Sequence, residues 1–337
     1  MKSGKVASWW RAEGSKIRCE VCPRECKLGE GQRGFCYVRQ RIGDQLYLTS
    51  YGRTSGFAAD PIEKKPLYHV LPGSLALTFG TVGCNLSCKF CQNWGISKAR
   101  ADERLRYEAS PTEIVVLAEA HGCRSIAFSY NDPTIFAEFA IDTAEVARER
   151  GLLPVAVTAG YISGEARRAF FAPMVAANID LKSFNEDFYW RLTGAHLRMV
   201  LETIEYARSA GVWLELTTLV IPGHNDSDAE LTALSRWVVQ NLGADVPLHF
   251  SAFHPDWKMR DVPPTPPSTL TRAREIAQAE GLNFVYTGNV RSAAGSATSC
   301  PQCGAELIVR DWFQVRENRA PGGRCSSCGH QLSGIWG

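Results

Sequence analysis

The sequence predicts an α/β fold: a partial or complete parallel β/α barrel with small cysteine-rich, metal-binding segments at both ends. Three observations carry this. Seven short apolar runs alternate with amphipathic stretches between residues 71 and 295. No glycine-rich fingerprint follows the first of these runs, which argues against a doubly wound dinucleotide fold. Eleven of the 12 cysteines fall into three tight groups, and Cys123 alone is left over.

The runs are Leu75–Phe79, Ser125–Ser129, Pro154–Thr158, Ala177–Leu181, Trp213–Ile221, Leu248–Phe253 and Asn283–Tyr286. Between them lie helix-like stretches. Pro111–His121 has Ser110 as N-cap and Pro in its first turn. Ile135–Arg150 carries an apolar stripe that stops before Gly151. Ser163–Phe171, Arg198–Ala210, Asp226–Asn241 and Ser268–Glu280 follow the same logic. Strand–helix alternation implies parallel strands, and six or seven such units fit a barrel. In such a barrel the chemistry sits just after each strand. The chain therefore divides into an N-terminal cysteine-bearing segment (1–70), the β/α unit (71–295) and a C-terminal cysteine-bearing segment (296–337) entered through Ser292–Ser299.

Charge excludes some partners. With 37 basic and 35 acidic residues the net charge is +2, so nothing draws the whole chain to nucleic acid or an anionic membrane. No apolar run reaches the roughly 18 residues that a membrane span requires. Residues 1–16 lack the apolar stretch of a secretory signal, so the expected compartment is the cytoplasm. Cysteines at two- and three-residue gaps suit metal ligation better than a disulfide framework.

The loop after the first run reads Gly83-Cys84-Asn85-Leu86-Ser87-Cys88-Lys89-Phe90-Cys91-Gln92-Asn93. Three cysteines can cap one face of a cube-shaped iron–sulfur cluster and leave one iron without a protein ligand, whereas a closed 4Fe–4S site uses four. Such a site is built for an external ligand, as an open catalytic zinc site is. The alternative is a structural zinc site completed by a distant residue. Cys300, Cys303, Cys325 and Cys328 form two CxxC knuckles with 21 residues between them, the pattern of a zinc ribbon; a second iron–sulfur cluster is the alternative. Cys19, Cys22, Cys26 and Cys36 also suggest a metal, and zinc and an auxiliary 4Fe–4S cluster both fit.

Cys-x-x-x-Cys-x-aromatic-Cys after the first strand resembles the signature of the radical S-adenosylmethionine (SAM) superfamily. That resemblance implies a 4Fe–4S cluster on Cys84, Cys88 and Cys91, with the methionine part of SAM on the open iron. Reductive cleavage of SAM would then give a 5′-deoxyadenosyl radical that abstracts hydrogen from a substrate. It also implies an electron donor such as a flavodoxin or ferredoxin, and places Phe90 beside the adenine.

Further positions resemble the glycyl-radical-enzyme activating proteins. Ser129, Asn131 and Asp132 stand where those proteins carry a Gly-Gly-Glu-Pro segment that meets the methionine amino group, with Asp132 in the place of Glu. Asp180-Leu181-Lys182 matches an Asp-x-Lys whose lysine contacts SAM, and alternation puts Asp180 and Lys182 on one face. His254 matches a SAM-contacting histidine. Packing offers plainer roles: Asn131 or Asp132 as a helix cap, an Asp180–Lys182 ion pair, and Asn225 or Asp226 as the cap of the helix after Pro222-Gly223.

The segment ending Gly34-Phe35-Cys36-Tyr37-Val38-Arg39, with Tyr51-Gly52 and Pro61-Ile62-Glu63-Lys64-Lys65-Pro66-Leu67, resembles the radical SAM component of the AmmeMemoRadiSam system. That implies association with the system's two companion proteins. It leaves the substrate open. Two other readings stand beside it: a glycyl-radical-enzyme activase, and a non-enzymatic, zinc-scaffolded binding protein.

Overall fold

The computed structural model describes residues 4–100 and 102–337. Residues 1–3, where the expected absence of a signal begins, lie outside the described residues. The core is one eight-stranded sheet: β1 (Gly56–Pro61), β2 (Leu75–Gly80), β3 (Ser125–Phe128), β4 (Leu153–Thr158), β5 (Ala176–Asp180), β6 (Trp213–Val220), β7 (Leu248–Ala252) and β8 (Val285–Gly288). The strands lie side by side in chain order. β2 to β8 are parallel throughout, and β1 pairs antiparallel with β2. A doubly wound sheet reverses its order at a switch point; this one does not. Among the described residues no ladder joins β8 to β1, so the sheet has two edges. One cavity nonetheless meets the C-terminal ends of β3 through β8 and the loop after β2, which requires the sheet to curl around it.

The crossovers carry α1 (Pro111–Ala120), α2 (Ala137–Glu149), α3 (Gly164–Phe171), α4 (Leu197–Ser209), α5 (Asp228–Leu242) and α6 (Pro267–Ala279). α1 begins with a full capping box: Ser110 accepts from the Glu113 amide while the Glu113 carboxylate accepts from the Ser110 amide. Asp132 caps the 3-10 turn Pro133–Phe136 that leads into α2. α5 differs from expectation at its start. Ser227 caps it, and Asn225 instead takes the Ile221 amide and donates to the carbonyls of Lys182 and Leu219, tying β6 to the end of β5.

Inward-facing residues alternate along the strands and do two jobs. Low in the sheet, Asn178 on β5 donates to the Pro66 carbonyl, and Glu215 on β6 accepts the amides of Tyr68 and His69. His249 on β7 donates to the same carboxylate at 2.7 Å. The loop after β1 is thus bound inside the curl by three strands, and it fills the floor. One turn higher, Asp180, Thr217, Leu219 and Ser251 face the cavity.

The N-terminal segment forms two small antiparallel sheets, one of Lys5–Val6, Arg39–Ile42 and Gln45–Leu48, the other of Trp10–Glu13, Lys16–Cys19 and Lys27–Leu28. It also supplies β1 to the central sheet. The C-terminal segment is a three-stranded sheet of β9 (Thr298–Ser299), β10 (Glu306–Asp311) and β11 (Gln314–Asn318). Its Leu307 and Ile308 share a core with Tyr68, Phe284 and Tyr286. Its buried Arg310 donates to the Tyr68 carbonyl and lies 3.5 Å from Glu63.

Candidate active site

The loop after β2 is fixed by its neighbours on every side. Asn85, fully buried, donates to the Thr134 hydroxyl and the Tyr161 carbonyl, the ends of β3 and β4. Asn131 closes a second set of bonds: it accepts the Thr81 amide and donates to the Thr81 hydroxyl and the Gly83 carbonyl. Ser87 and Lys89 donate their amides to Thr193 and Leu192, in the wide helical turn Tyr189–Thr193. Lys98 reaches back to the Leu86 carbonyl at 2.8 Å. A loop with this many anchors holds its side chains without relying on a bound group to order it.

The three cysteines this loop carries, Cys84, Cys88 and Cys91, all line the central cavity, whose volume is about 450 Å³. Cys84 accepts the Leu86 amide, and Cys91 lies 3.0 Å from the Ser97 hydroxyl. Burial raises the thiol pKa of Cys84, and pushes that of Cys88 up to about 12 despite the nearby Lys182 and Lys98 ammonium groups. Such thiols stay protonated in the bare protein, so a metal must displace the proton to be bound.

Opposite them stand the groups on the later strands. Burial works against a charge on Lys182, but Asp180, at 2.8 Å, outweighs it and holds its pKa above the ordinary value. Asp132 accepts from the amides of Thr134 and Ala159 and from the Thr158 hydroxyl. Burial still lifts its carboxyl above the usual range, against those bonds. Phe90 is buried against Phe188, with centroids 5.7 Å apart, and forms part of the wall.

The structure thus brings Cys84, Cys88, Cys91, Phe90, Ser129, Asn131, Asp132, Asp180 and Lys182 to one cavity. It does not bring His254 there; that side chain is exposed and outside the lining. The histidine that reaches the cavity from β7 is His249, which the sequence reading passed over. Its signal was a His in β7 and a Glu in β6, both set in otherwise apolar strands. Lys65 was also missed as a lining residue. It is buried, bonded to Asp60 at 2.7 Å and 5.2 Å from the Tyr130 ring.

The C-terminal cysteines differ in geometry. Cys300 and Cys328 stand 3.6 Å apart, Cys303 and Cys325 3.8 Å, and all four sulfurs lie within 4.8 Å of one another. Zinc–sulfur bonds of about 2.3 Å give a tetrahedron with edges of about 3.8 Å, so the four thiols match a single-ion site. Among the described residues no other group of three or more such ligands is this tight. The central three therefore lack the spacing of a lone ion and face open space, which fits a larger group with an external ligand.

A β/α sheet with an open three-cysteine site at its mouth defines a class, and sequence comparison agrees. The chain carries a radical SAM superfamily domain, whose sequence profile matches residues 78–234. Members of this superfamily are generally enzymes. The chain is 44% identical over 328 residues to protein MJ0808 of Methanocaldococcus jannaschii, covering 96% of each. It is related to the pyruvate formate-lyase 1-activating enzyme of Escherichia coli, with 21% identity over 236 residues, 64% of this chain and 93% of the other. Among solved structures, Streptococcus suis SuiB bound to precursor peptide SuiA shares the fold at a TM-score of 0.52, with 15% identity over 68% of this chain and 52% of SuiB. No helix among the described residues is long and apolar enough to cross a membrane.

Proposed function

We propose that the chain is a radical SAM enzyme with its 4Fe–4S cluster on Cys84, Cys88 and Cys91. The observation that carries this is the convergence of three cysteines with Asp180 and Lys182 on one 450 Å³ cavity. When bound, the cluster and SAM supply a 5′-deoxyadenosyl radical, with the electron from a donor such as a flavodoxin or ferredoxin. The chain's own residues bind, orient and exclude water. Lys182 and Asp180 present a fixed charge pair to the carboxylate and ammonium groups of methionine. Ser129 offers a hydroxyl beside them, while Asn131 and Asp132 hold the loop and the β4 end in place. Phe90 gives the adenine an apolar wall. The four C-terminal cysteines hold zinc, and the expected compartment is the cytoplasm.

The hydrogen donor is proposed to belong to an AmmeMemoRadiSam-type system, on the Gly34–Arg39, Tyr51-Gly52 and Pro61–Leu67 motifs. A glycyl-radical-enzyme activase is the second reading, favoured by the relation to the pyruvate formate-lyase activating enzyme. Anaerobic reconstitution with iron and sulfide, then reduction in the presence of SAM, should release 5′-deoxyadenosine. A fully loaded protein that releases none would overturn the proposal. A glycyl radical signal on an added candidate protein would select the second reading.

A further inference from the structure

The N-terminal cysteines surround a space of their own. Cys19 ends one strand, Cys22 and Cys26 stand in the turn that follows, and Cys36 comes from a separate loop, yet all four border one void, with Arg24, Arg39, Asn85 and Ile135 completing its wall. The Cys26 sulfur already accepts the Phe35 amide at 3.4 Å. An amide donor and the Arg24 guanidinium, which donates only to carbonyl oxygens among the described residues, suit a net-negative group bound through thiolates.

The spacing of the sulfurs points to which group. A single zinc ion would draw its four sulfurs to edges of about 3.8 Å, and the C-terminal set has that spacing. No three of the N-terminal sulfurs come within 4.8 Å of one another. The void that all four border is also lined by Val21, Phe35 and Ile135. Gly34 lines the same space, its Cα side in van der Waals reach of the Cys36 and Cys26 sulfurs. A cube of irons and sulfides holds its thiolates apart in this way, and four cysteines leave it no open iron.

We infer that Cys19, Cys22, Cys26 and Cys36 bind a second, fully ligated 4Fe–4S cluster, distinct from the one at the cavity. Its pocket adjoins the catalytic loop directly. The Cys36 carbonyl packs against Gly83, Arg24 donates to the carbonyls of Asn85 and Gly194, and Asn85 is shared wall.

The test is iron, sulfide and zinc analysis of the full chain, purified anaerobically with Cys84, Cys88 and Cys91 all changed to Ala. About four irons and four sulfides per chain should remain, with the Mössbauer spectrum of a 4Fe–4S cluster, beside one zinc. Two zincs and no iron would overturn the inference. Should that variant fail to fold, the wild-type chain answers: about eight irons with one zinc supports the second cluster, and about four irons with two zincs refutes it. Cys22→Ser/Cys26→Ser isolates the central site: about four irons should remain there, and a wild-type iron content of about eight in this variant would overturn the second cluster.

Discussion

Arg39 and Glu138 form a two-pronged ion pair that water does not reach. The guanidinium donates to both carboxylate oxygens, at 3.0 and 2.5 Å, and its Nε donates to the Ile135 carbonyl. Arg39 comes from the N-terminal segment and Glu138 from the first turn of α2, so the pair clamps the cysteine-bearing segment to the central sheet. Glu138 also accepts the Ser8 amide, which adds a second N-terminal anchor.

Removing one partner strands the other charge in the core, at about 3–5 kcal/mol. Glu138→Gln should therefore destabilise the protein strongly in denaturant unfolding. Arg39→Met/Glu138→Leu removes both charges and should recover most of that loss. A double variant as unstable as the sum of the single ones would show that the pair does not act as a unit.

Gly83 carries the strictest backbone requirement in the three-cysteine loop. Its φ is +80°, and a Cβ would stand 1.9 Å from the Cys36 carbonyl oxygen. Gly83→Ala must move the loop or the cysteine segment, because neither contact atom lies on a flexible side chain. The expected result is a folded chain with lowered iron content and weakened SAM binding, read by metal analysis and calorimetry. Asn131→Ala should act in the same direction, since it orphans the buried Thr81 amide at about 1–3 kcal/mol.

The sheet was legible because buried parallel strands leave plain apolar runs with capped helices between them, and all seven parallel strands fall within two residues of their expected bounds. The site was legible where a residue type has one chemical use: three cysteines at short gaps, or Asp180 and Lys182 two apart at a strand end. β1 was missed because Gly56–Pro61 has no alternation and ends in proline. The floor was missed for a different reason. Asn178, Glu215 and His249 serve a loop more than a hundred residues earlier in the chain, and no local pattern records such a contact. His254 shows the converse limit, since a histidine after a strand carries no sign of which way its loop turns.

The C-terminal cysteines should matter to the whole protein and not only to their own sheet. That sheet is small and shares its core with β8 and the floor loop, and metal would supply most of its folding energy. Cys303→Ser should lose one zinc per chain and lower the unfolding midpoint of the intact protein. It should leave the iron content unchanged, because Cys303 touches neither of the other cysteine groups. A variant that loses zinc with an unchanged midpoint would show that the segment folds independently.

His69 makes the stability of the floor depend on pH. Its ring lies between the sheet and the C-terminal segment, donating from Nδ1 to the Ser333 carbonyl and accepting at Nε2 from the Tyr286 hydroxyl. Burial pushes its pKa down to about 4; Glu215 opposes this, and Arg310 and His249 add to it. In the unfolded chain His titrates near the ordinary 6.5, so between about 6.5 and 4 the unfolded state binds the extra proton. The His69 contribution is therefore complete above pH 6.5, shrinks as pH falls through that window and is gone below about 4. The shift corresponds to about 3 kcal/mol. Chemical unfolding of wild type and His69→Gln, with zinc present at each pH, should show curves that converge on acidification. A constant offset between the two from pH 7 to pH 4 would show that protonation of His69 does not control the floor.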